Sequence, residues 1–231
     1  MRTQLVAFLL TAALLPAQDP FRSDRDRMVQ NQIAARGIKN ASVLKAMRET
    51  PRHMFMPVDV RSAAYEDRPV SIGHGQTISQ PYIVAFMTEA LDVAKDHRVL
   101  EIGTGSAYQA AILSRLAHEV YTIEIVDSLA RSATETLKQM GYKNVFVRDG
   151  DGYRGWPEKA PFDRIILTAA PPELPEALVQ QLKPGGKMLA PVGRSTFEQE
   201  LLLLTKDSDG KISTQSILPV RFVPMVKPQT R

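Results

Sequence analysis

The chain has 231 residues, of which 44% are hydrophobic and 23% charged, as is typical of a globular protein with one substantial core. Its net charge is +4, but the basic residues are mixed with acidic ones and only 6% of residues are aromatic, so no nucleic-acid site is indicated. The absence of cysteine excludes disulfides and a cysteine nucleophile, and the wide spacing of the four histidines argues against a metal site.

The first 17 residues form an apolar leader. One arginine precedes an uninterrupted, largely apolar run at 5–15, and the small residue Ala17 follows it. This pattern resembles a secretory signal cleaved after Ala17, and it is too short to span a membrane. It favours export to the periplasm or the medium, with no stable membrane association after removal. The alternative is an unprocessed leader or a misplaced start codon in a cytoplasmic protein.

The next part of the chain is predicted to be helical. Ser23 can cap a first short helix that Gly37 ends, and Asn40 can cap a second helix that stops at Pro51. Residues 52–80 show no sustained period and contain many turn residues. Long connecting regions of this kind often carry function.

From residue 98 onward, short apolar strands alternate with helices. Strands are predicted at 98–102, 120–125, 144–150, 162–170 and 185–193, with two late strands at 200–205 and 220–226. This alternation predicts an α/β fold: a Rossmann-like, doubly wound, mostly parallel sheet covered by helices on both faces. We interpret it as one domain at 22–226, divided into a helical N-terminal region at 22–92, a cofactor-binding core at 93–205 and C-terminal strands at 206–226, with a tail at 227–231.

Three features are predicted to meet at the carboxyl edge of that sheet, where ligands bind in such folds. Gly103 and Gly105 follow the first strand and allow the backbone to approach a ligand closely. Glu124 ends the second strand, where a carboxylate can accept hydrogen bonds from ribose hydroxyls. Asp149 ends the third strand, where it can accept a hydrogen bond from an adenine amino group.

The residues around the glycine loop argue against a phosphate ligand. Tyr108 stands where dinucleotide-binding loops place a small residue that lets a pyrophosphate come close. Glu101 would repel phosphate, but it can receive a cationic amino-acid group. A ligand with ribose, adenine, a positive centre and no phosphate is S-adenosylmethionine. The alternative is a sheet with ordinary glycine turns and no such site.

Longer motifs carry a family resemblance across residues 25–226. They are RMVQNQIAARGI, VLKAMRETPRHMFMP, AYEDRPVSIGHGQTISQPYIVAFM, VLEIGTGSAYQAAILSRL, ILTAAPPELPEALVQQLKPGGKMLAPVG and RFVPM. In these motifs the chain resembles the protein-L-isoaspartate (D-aspartate) O-methyltransferase family. The resemblance implies methyl transfer from S-adenosylmethionine to the free α-carboxylate of L-isoaspartyl and D-aspartyl residues in damaged proteins, which starts their repair to aspartate. It also implies an S-adenosylmethionine-dependent methyltransferase fold without a metal.

The resemblance assigns roles to individual residues. The family's active-site serine matches Ser79. Cofactor contacts are implied for Glu101, Gly103, Gly105, Glu124, Asp149 and Gly150. Substrate contacts are implied for Thr77, Ile78, Gln80, Val220, Phe222 and Val223, the last three in a segment that resembles the wall of the family's peptide cleft. For Gln80 a cofactor contact or a helix cap also stays open.

Ser79 has two interpretations. It precedes a helix that begins near Pro81, and the free N–H groups and dipole of a helix start attract a carboxylate. From the residues alone a plain helix cap is the favoured interpretation, and the family resemblance reverses that preference. A general base is not required, because the carboxyl group that accepts the methyl is already ionised at pH 7. His74 is therefore the weaker candidate, with a turn position as its default role.

Two other functions stay open from the sequence. One is a methyltransferase of the same fold that acts on RNA or a small molecule. The other is a non-catalytic domain that binds adenosyl compounds or damaged proteins. In every case a monomer is expected.

Overall fold

The computed structural model of the protein describes residues 19–228. The helices in this part are α1 (Arg22–Arg27), α2 (Ala41–Glu49), α3 (Pro81–Leu91), α4 (Tyr108–Ser114), α5 (Asp127–Gln139) and α6 (Glu176–Gln181). The strands are β1 (Val70–Gly73), β2 (Gln76–Ile78), β3 (Arg98–Ile102), β4 (Glu119–Glu124), β5 (Val145–Asp149), β6 (Phe162–Leu167), β7 (Leu182–Val192), β8 (Gln199–Lys206) and β9 (Ile212–Val220).

Seven of these strands form one sheet in the order β5-β4-β3-β6-β7-β8-β9. Strands β5, β4, β3, β6 and β7 run parallel to one another, and β8 and β9 run antiparallel to their neighbours. The chain runs from β3 outward to β4 and β5, and then returns to place β6 on the other side of β3. The order therefore reverses at β3 and β6, and the crevice at their carboxyl ends is where such sheets bind ligands.

The predicted doubly wound α/β fold is confirmed. Val99 and Ile102 in β3 are almost completely buried, because the parallel part of the sheet is covered on both faces. In α3, the side chains of Val84, Met87 and Leu91 are buried as their helical spacing predicts.

The N-terminal helices differ in detail from the prediction. Ser23 does not cap the first helix, because α1 begins at Arg22 after Phe21, whose N–H is held by the Asp19 carboxylate. The helix then widens into a π-helix (Met28–Ile33) and ends at Gly37, which has a positive φ of 100°. The predicted cap of α2 is confirmed, since the Asn40 side chain accepts hydrogen bonds from two backbone N–H groups of the first turn.

The connecting region at 52–80 contains structure that its sequence did not indicate. It holds two 3-10 turns, Arg52–Phe55 and Val58–Ala63, followed by the antiparallel hairpin of β1 and β2. The strands of this hairpin have four and three residues, which is too short for a two-residue alternation to be visible.

The predicted strand at 220–226 is wrong. The last strand is β9, and the segment after it makes only one isolated bridge, between Ala170 and Pro224. Much of β9 is exposed at the edge of the sheet, so it lacks an apolar pattern, whereas Phe222 and Met225 are buried without belonging to a strand. Apolar character was therefore a misleading signal for this part of the chain.

Candidate active site

A cavity of about 780 Å³ opens at the carboxyl ends of the central strands. Its walls come from the end of β2, the start of α3, the loops after β3, β4 and β6, and the segment after β9. Its lining includes Ser79, Glu101, Gly103, Gly105, Glu124 and Thr168.

Gly103 shows how closely the chain approaches itself beside this cavity. Its φ is 99°, and a Cβ atom there would lie 2.5 Å from the Oγ1 atom of Thr168. The Thr168 hydroxyl donates a hydrogen bond to the Gly103 carbonyl at 2.6 Å, which joins the loop after β3 to the loop after β6. Gly152 is similarly confined, since a Cβ there would lie 2.4 Å from Ile102. Glycine is therefore the residue that fits at both positions, 103 and 152.

Glu101 places a buried carboxyl group in the same cavity. The residue is 0% exposed, and the Thr122 hydroxyl donates a hydrogen bond to its Oε2 atom at 2.6 Å. Its Oε1 atom has no hydrogen-bond partner within the described residues. Burial raises the pKa of Glu101 to about 8. A cationic group bound beside it would satisfy the free oxygen and stabilise the ionised carboxylate.

Glu124 shapes the loop that follows β3. Its Oε2 atom accepts a hydrogen bond from the Gly105 N–H at 2.7 Å, and its Oε1 atom accepts one from the Val126 N–H at 3.0 Å. Each carboxylate oxygen has a second lone pair, so the group is still able to accept bonds from ribose hydroxyls. The predicted cofactor residues Glu101, Gly103, Gly105 and Glu124 thus line one cavity.

Ser79 lies at the start of α3, beside the N-cap residue Gln80 and before Pro81 at the first helical position. The reading of Ser79 as a plain cap is wrong, because the N-cap is its neighbour, whose side chain makes no capping hydrogen bond to the described residues. The first N–H groups of a helix have no partner within it, so the start of α3 is electropositive. Ser79 therefore combines a hydroxyl group with a helix start at the cavity wall.

A second, open cleft of about 1500 Å³ adjoins the cavity. Both are lined by Thr77, Ser79, Thr168, Val223 and Pro224, so these residues stand at the junction. The predicted substrate residues Thr77, Gln80, Val220, Phe222 and Val223 line the cleft, while Ile78 lines the cavity.

Gln199 fixes one wall of the cleft and was missed in the sequence. Its side chain accepts a hydrogen bond from the Phe222 N–H at 2.6 Å and donates one to the Phe222 carbonyl at 3.1 Å. The adjacent Val223 carbonyl accepts from the Ala170 N–H at 2.9 Å. These bonds occupy backbone groups that an extended peptide would otherwise use, and they explain how the segment is held without being a strand.

The rim of the cleft carries another pair that the sequence did not reveal. Phe197 is 78% exposed, and the Arg221 guanidinium lies 5.0 Å from the centroid of its ring. Both side chains line the cleft. An exposed aromatic side chain is a recognisable signal only once its position beside a cleft is known.

Three residues considered in the sequence lie away from the cavity lining. Asp149 ends β5 opposite Glu124 but is exposed, and Gly150 follows it. Their cofactor contacts stay predictions. His74 is exposed in the turn between β1 and β2, with a φ of 54°, and it contacts the Ser128 hydroxyl at 3.1 Å.

Thr168 belongs to the cavity and was missed, although the TAAPPE motif that begins there pointed to this loop.

Two features are absent from residues 19–228. No group of three or more histidine, aspartate and glutamate side chains there is arranged to hold a metal ion. No helix there has both the length and the apolar character needed to cross a membrane.

The fold and the site together define a Rossmann-like methyltransferase of the S-adenosylmethionine-dependent class. The model of the protein-L-isoaspartate (D-aspartate) O-methyltransferase family matches residues 23–230, and the chain belongs to that family. The family, the enzyme class and the methyl donor predicted from the sequence are thereby confirmed.

Relatives and solved structures are consistent with this assignment. The chain is 53% identical to the protein-L-isoaspartate O-methyltransferase of Synechococcus sp., covering 91% of this chain and 88% of the relative. It is 51% identical to that of Opitutus terrae, covering 98% and 97%. A structure described as a Plasmodium falciparum protein-L-isoaspartate O-methyltransferase in complex with S-adenosyl-L-homocysteine has a TM-score of 0.77 at 26% identity, covering 88% of this chain and 99% of that one.

Proposed function

We propose that the cavity binds S-adenosylmethionine, that the adjoining cleft binds an isoaspartyl residue of a damaged protein, and that the methyl group passes between them at Ser79. The observation that carries this proposal is the position of Ser79, which lines both the cavity and the cleft. A group that must orient an acceptor toward a donor has to stand at such a junction.

The cavity residues fit the methyl donor. Bound S-adenosylmethionine supplies an electrophilic methyl group on a sulfonium. The unpartnered oxygen of Glu101 would receive its ammonium group, and the remaining lone pairs of Glu124 would accept hydrogen bonds from the ribose hydroxyls. Gly103 gives the backbone room to approach, because no side chain fits at that position. Asp149 and Gly150 are proposed to contact the adenine from the adjacent edge of the sheet.

The start of α3 is proposed to hold the acceptor carboxylate. Helix α3 has eleven residues and presents its unpaired N–H groups at this end. The Ser79 hydroxyl adds one hydrogen bond. Neither group removes the negative charge of the carboxylate, so the acceptor stays nucleophilic while it is held in line with the methyl group. No proton has to be removed, since the carboxyl group is already ionised at pH 7.

The cleft is proposed to recognise the chain on either side of the isoaspartyl residue. Thr77, Gln80, Val220 and Val223 provide its walls. Since Gln199 already uses both backbone groups of Phe222 and the side chain of Phe222 is largely buried, Phe222 is proposed to contact the peptide only through the part of its ring that lines the cleft. Recognition through shape and a few backbone groups tolerates many flanking sequences.

Methyl transfer from labelled S-adenosylmethionine to an isoaspartyl peptide tests the function. The matched control is the same peptide with normal aspartate at that position. We expect labelling of the isoaspartyl peptide alone, as a base-labile ester. Equal labelling of both peptides, or of neither, contradicts the proposal.

Cleavage of the leader after Ala17 and export stay proposals, because residues 1–18 lie outside the described residues. The packing of the first described residues is compatible with cleavage: Asp19 forms an ion pair with Arg25 at 2.7 Å, and the rings of Phe21 and His53 lie 4.4 Å apart. Removal of residues 1–17 leaves this packing whole. N-terminal sequencing of the native protein should read from Gln18, and a start at Met1 or Arg2 excludes cleavage.

A monomer that does not bind nucleic acid is proposed with the repair function. Light scattering of the purified protein should give the mass of one chain. A gel-shift titration with RNA tests the second point, and binding at physiological salt would contradict it.

A further inference from the structure

Arg52 is a buried charged residue that the methyl-transfer reaction does not by itself explain. It begins the 3-10 turn Arg52–Phe55 and is 0% exposed. Its hydrogen bonds all go to uncharged acceptors, four backbone carbonyls and the sulfur of Met56. Burial of a guanidinium without an ionic partner is costly, so the contacts that hold it indicate what the residue does.

The guanidinium holds the backbone on both sides of Ser79. Its Nη2 atom donates to the Ser79 carbonyl at 2.9 Å and lies 3.4 Å from the Ile78 carbonyl. Its Nη1 atom donates to the Ala64 carbonyl at 2.5 Å, which anchors the group to the connecting region. The Ile78 carbonyl belongs to the peptide plane before Ser79, and the Ser79 carbonyl belongs to the plane after it.

Two fixed peptide planes determine the backbone dihedrals of the residue between them. They therefore determine the direction of the Cα–Cβ bond of Ser79 and the angle at which the chain enters α3. We propose that Arg52 is a positioning residue, which aims the Ser79 hydroxyl and the start of α3 at the acceptor carboxylate. This inference rests on the proposed role of Ser79.

The shape of the side chain matters as much as its charge. A guanidinium presents five N–H groups in one rigid plane, so one group reaches carbonyls of separate segments. A lysine ammonium keeps the charge but cannot hold Ala64, Ile78 and Ser79 in the same geometry. Arg52→Lys therefore keeps the positive charge and removes the planar geometry, so it tests the geometry by itself.

The other end of α3 supplies a matched control. Arg164 is also buried, and its Nε atom donates to the carbonyls of Leu91 at 2.8 Å and Asp92 at 3.1 Å. It holds the C-terminal end of the same helix, away from the cavity and the cleft. Arg164→Lys should destabilise the protein because it too removes guanidinium hydrogen bonds to backbone carbonyls, but it should not move Ser79.

The experiment measures kcat for an isoaspartyl peptide, per molecule that binds S-adenosylhomocysteine, in Arg52→Lys and Arg164→Lys. We expect a loss of about tenfold or more in the first and less than about twofold in the second, with similar affinity for S-adenosylhomocysteine in both. In a Ser79→Ala background the Arg52→Lys loss should shrink to less than about threefold, because coupled residues are not additive. Arg52→Gln, which buries no charge, is the second variant if the lysine variant folds poorly.

Hydrogen exchange of the Val84 N–H, which donates to the Gln80 carbonyl at 3.1 Å, supplies a readout that does not depend on the substrate. This amide should exchange about tenfold faster in the Arg52 variant than in the Arg164 variant. If the wild type methylates the peptide and Arg52→Lys keeps its kcat, positioning is refuted and the proposed function stands. If Arg52→Lys loses the same factor with and without the Ser79 hydroxyl, positioning of that hydroxyl is refuted and the proposed function again stands. If the wild type does not methylate the peptide, the proposed function fails, and unchanged exchange then refutes positioning as well.

Discussion

Glu101 should release a proton when the cavity binds a ligand with an ammonium group. Burial raises the pKa of this carboxyl group to about 8 in the free protein. At that pKa, about nine tenths of the molecules carry the proton at pH 7 and about one tenth at pH 9. An ammonium group beside the carboxylate favours the ionised form and so expels the proton. Binding of S-adenosylhomocysteine should therefore release close to one proton at pH 7 and almost none at pH 9.

Calorimetry in buffers of different ionisation enthalpy measures this release. Glu101→Gln is the direct perturbation, and it should bind with no comparable proton release. Thr122→Val is the matched variant, because it removes the hydroxyl that donates to Glu101 at 2.6 Å. Since that hydrogen bond lowers the pKa of Glu101, its loss should extend proton release above pH 8. Equal proton release in wild type and Glu101→Gln would refute the reasoning.

The raised pKa of Glu101 also predicts how the stability of the folded protein depends on pH. Glu101 is a carboxyl group whose pKa in the folded protein, about 8, lies above its ordinary value of 4.5. Between these values the folded state binds more protons than the unfolded state, so its stability falls as pH rises. The slope reaches about 1.4 kcal/mol per pH unit. Relative to wild type, Glu101→Gln should gain stability from about pH 5 to about pH 8, and parallel curves would contradict this.

Three further predictions concern the walls of the site. Ser79→Ala should lower kcat by about 10- to 100-fold with little change in S-adenosylhomocysteine affinity, because a hydrogen bond to a charged group is lost; equal losses in both would assign Ser79 to the donor site. Gly103→Ala should abolish S-adenosylhomocysteine binding in calorimetry. The control is Gly141, which has a φ of 77° and open space around its Cβ position. Gly141→Ala should cost only about 1–2 kcal/mol of stability in denaturant unfolding. Gln199→Leu should raise KM for the peptide more than it changes kcat, because Phe222 loses both of its backbone partners; an unchanged KM would contradict that role.

The cofactor side of the site was predictable from the sequence because its parts are local. Gly103 and Gly105 directly follow β3, and Glu124 ends β4. In a parallel sheet the carboxyl ends of neighbouring strands meet at one edge, so recognition of the strands was enough to bring these residues together. Strands β3, β4 and β6 were recognisable because burial on both faces leaves largely apolar runs.

The substrate side was harder to predict because its contacts join distant segments. The strand expected at 220–226 is a loop that Gln199 and Ala170 hold through their polar groups. Hydrophobicity does not distinguish a buried loop from a strand, since both place apolar side chains inside. The short hairpin of β1 and β2 escaped for a related reason, as its pattern is too brief to show a period.

The sequence by itself determined the sheet, the glycine loop and the helix start beside which Ser79 lies. Those features depend on neighbours in the chain or on motifs. Only the tertiary structure decided that Ser79 stands between the cavity and the cleft. It also decided that Arg52, 27 positions earlier, holds the backbone on both sides of Ser79. The direction of a side chain depends on hydrogen bonds and packing from remote segments, which no local pattern encodes.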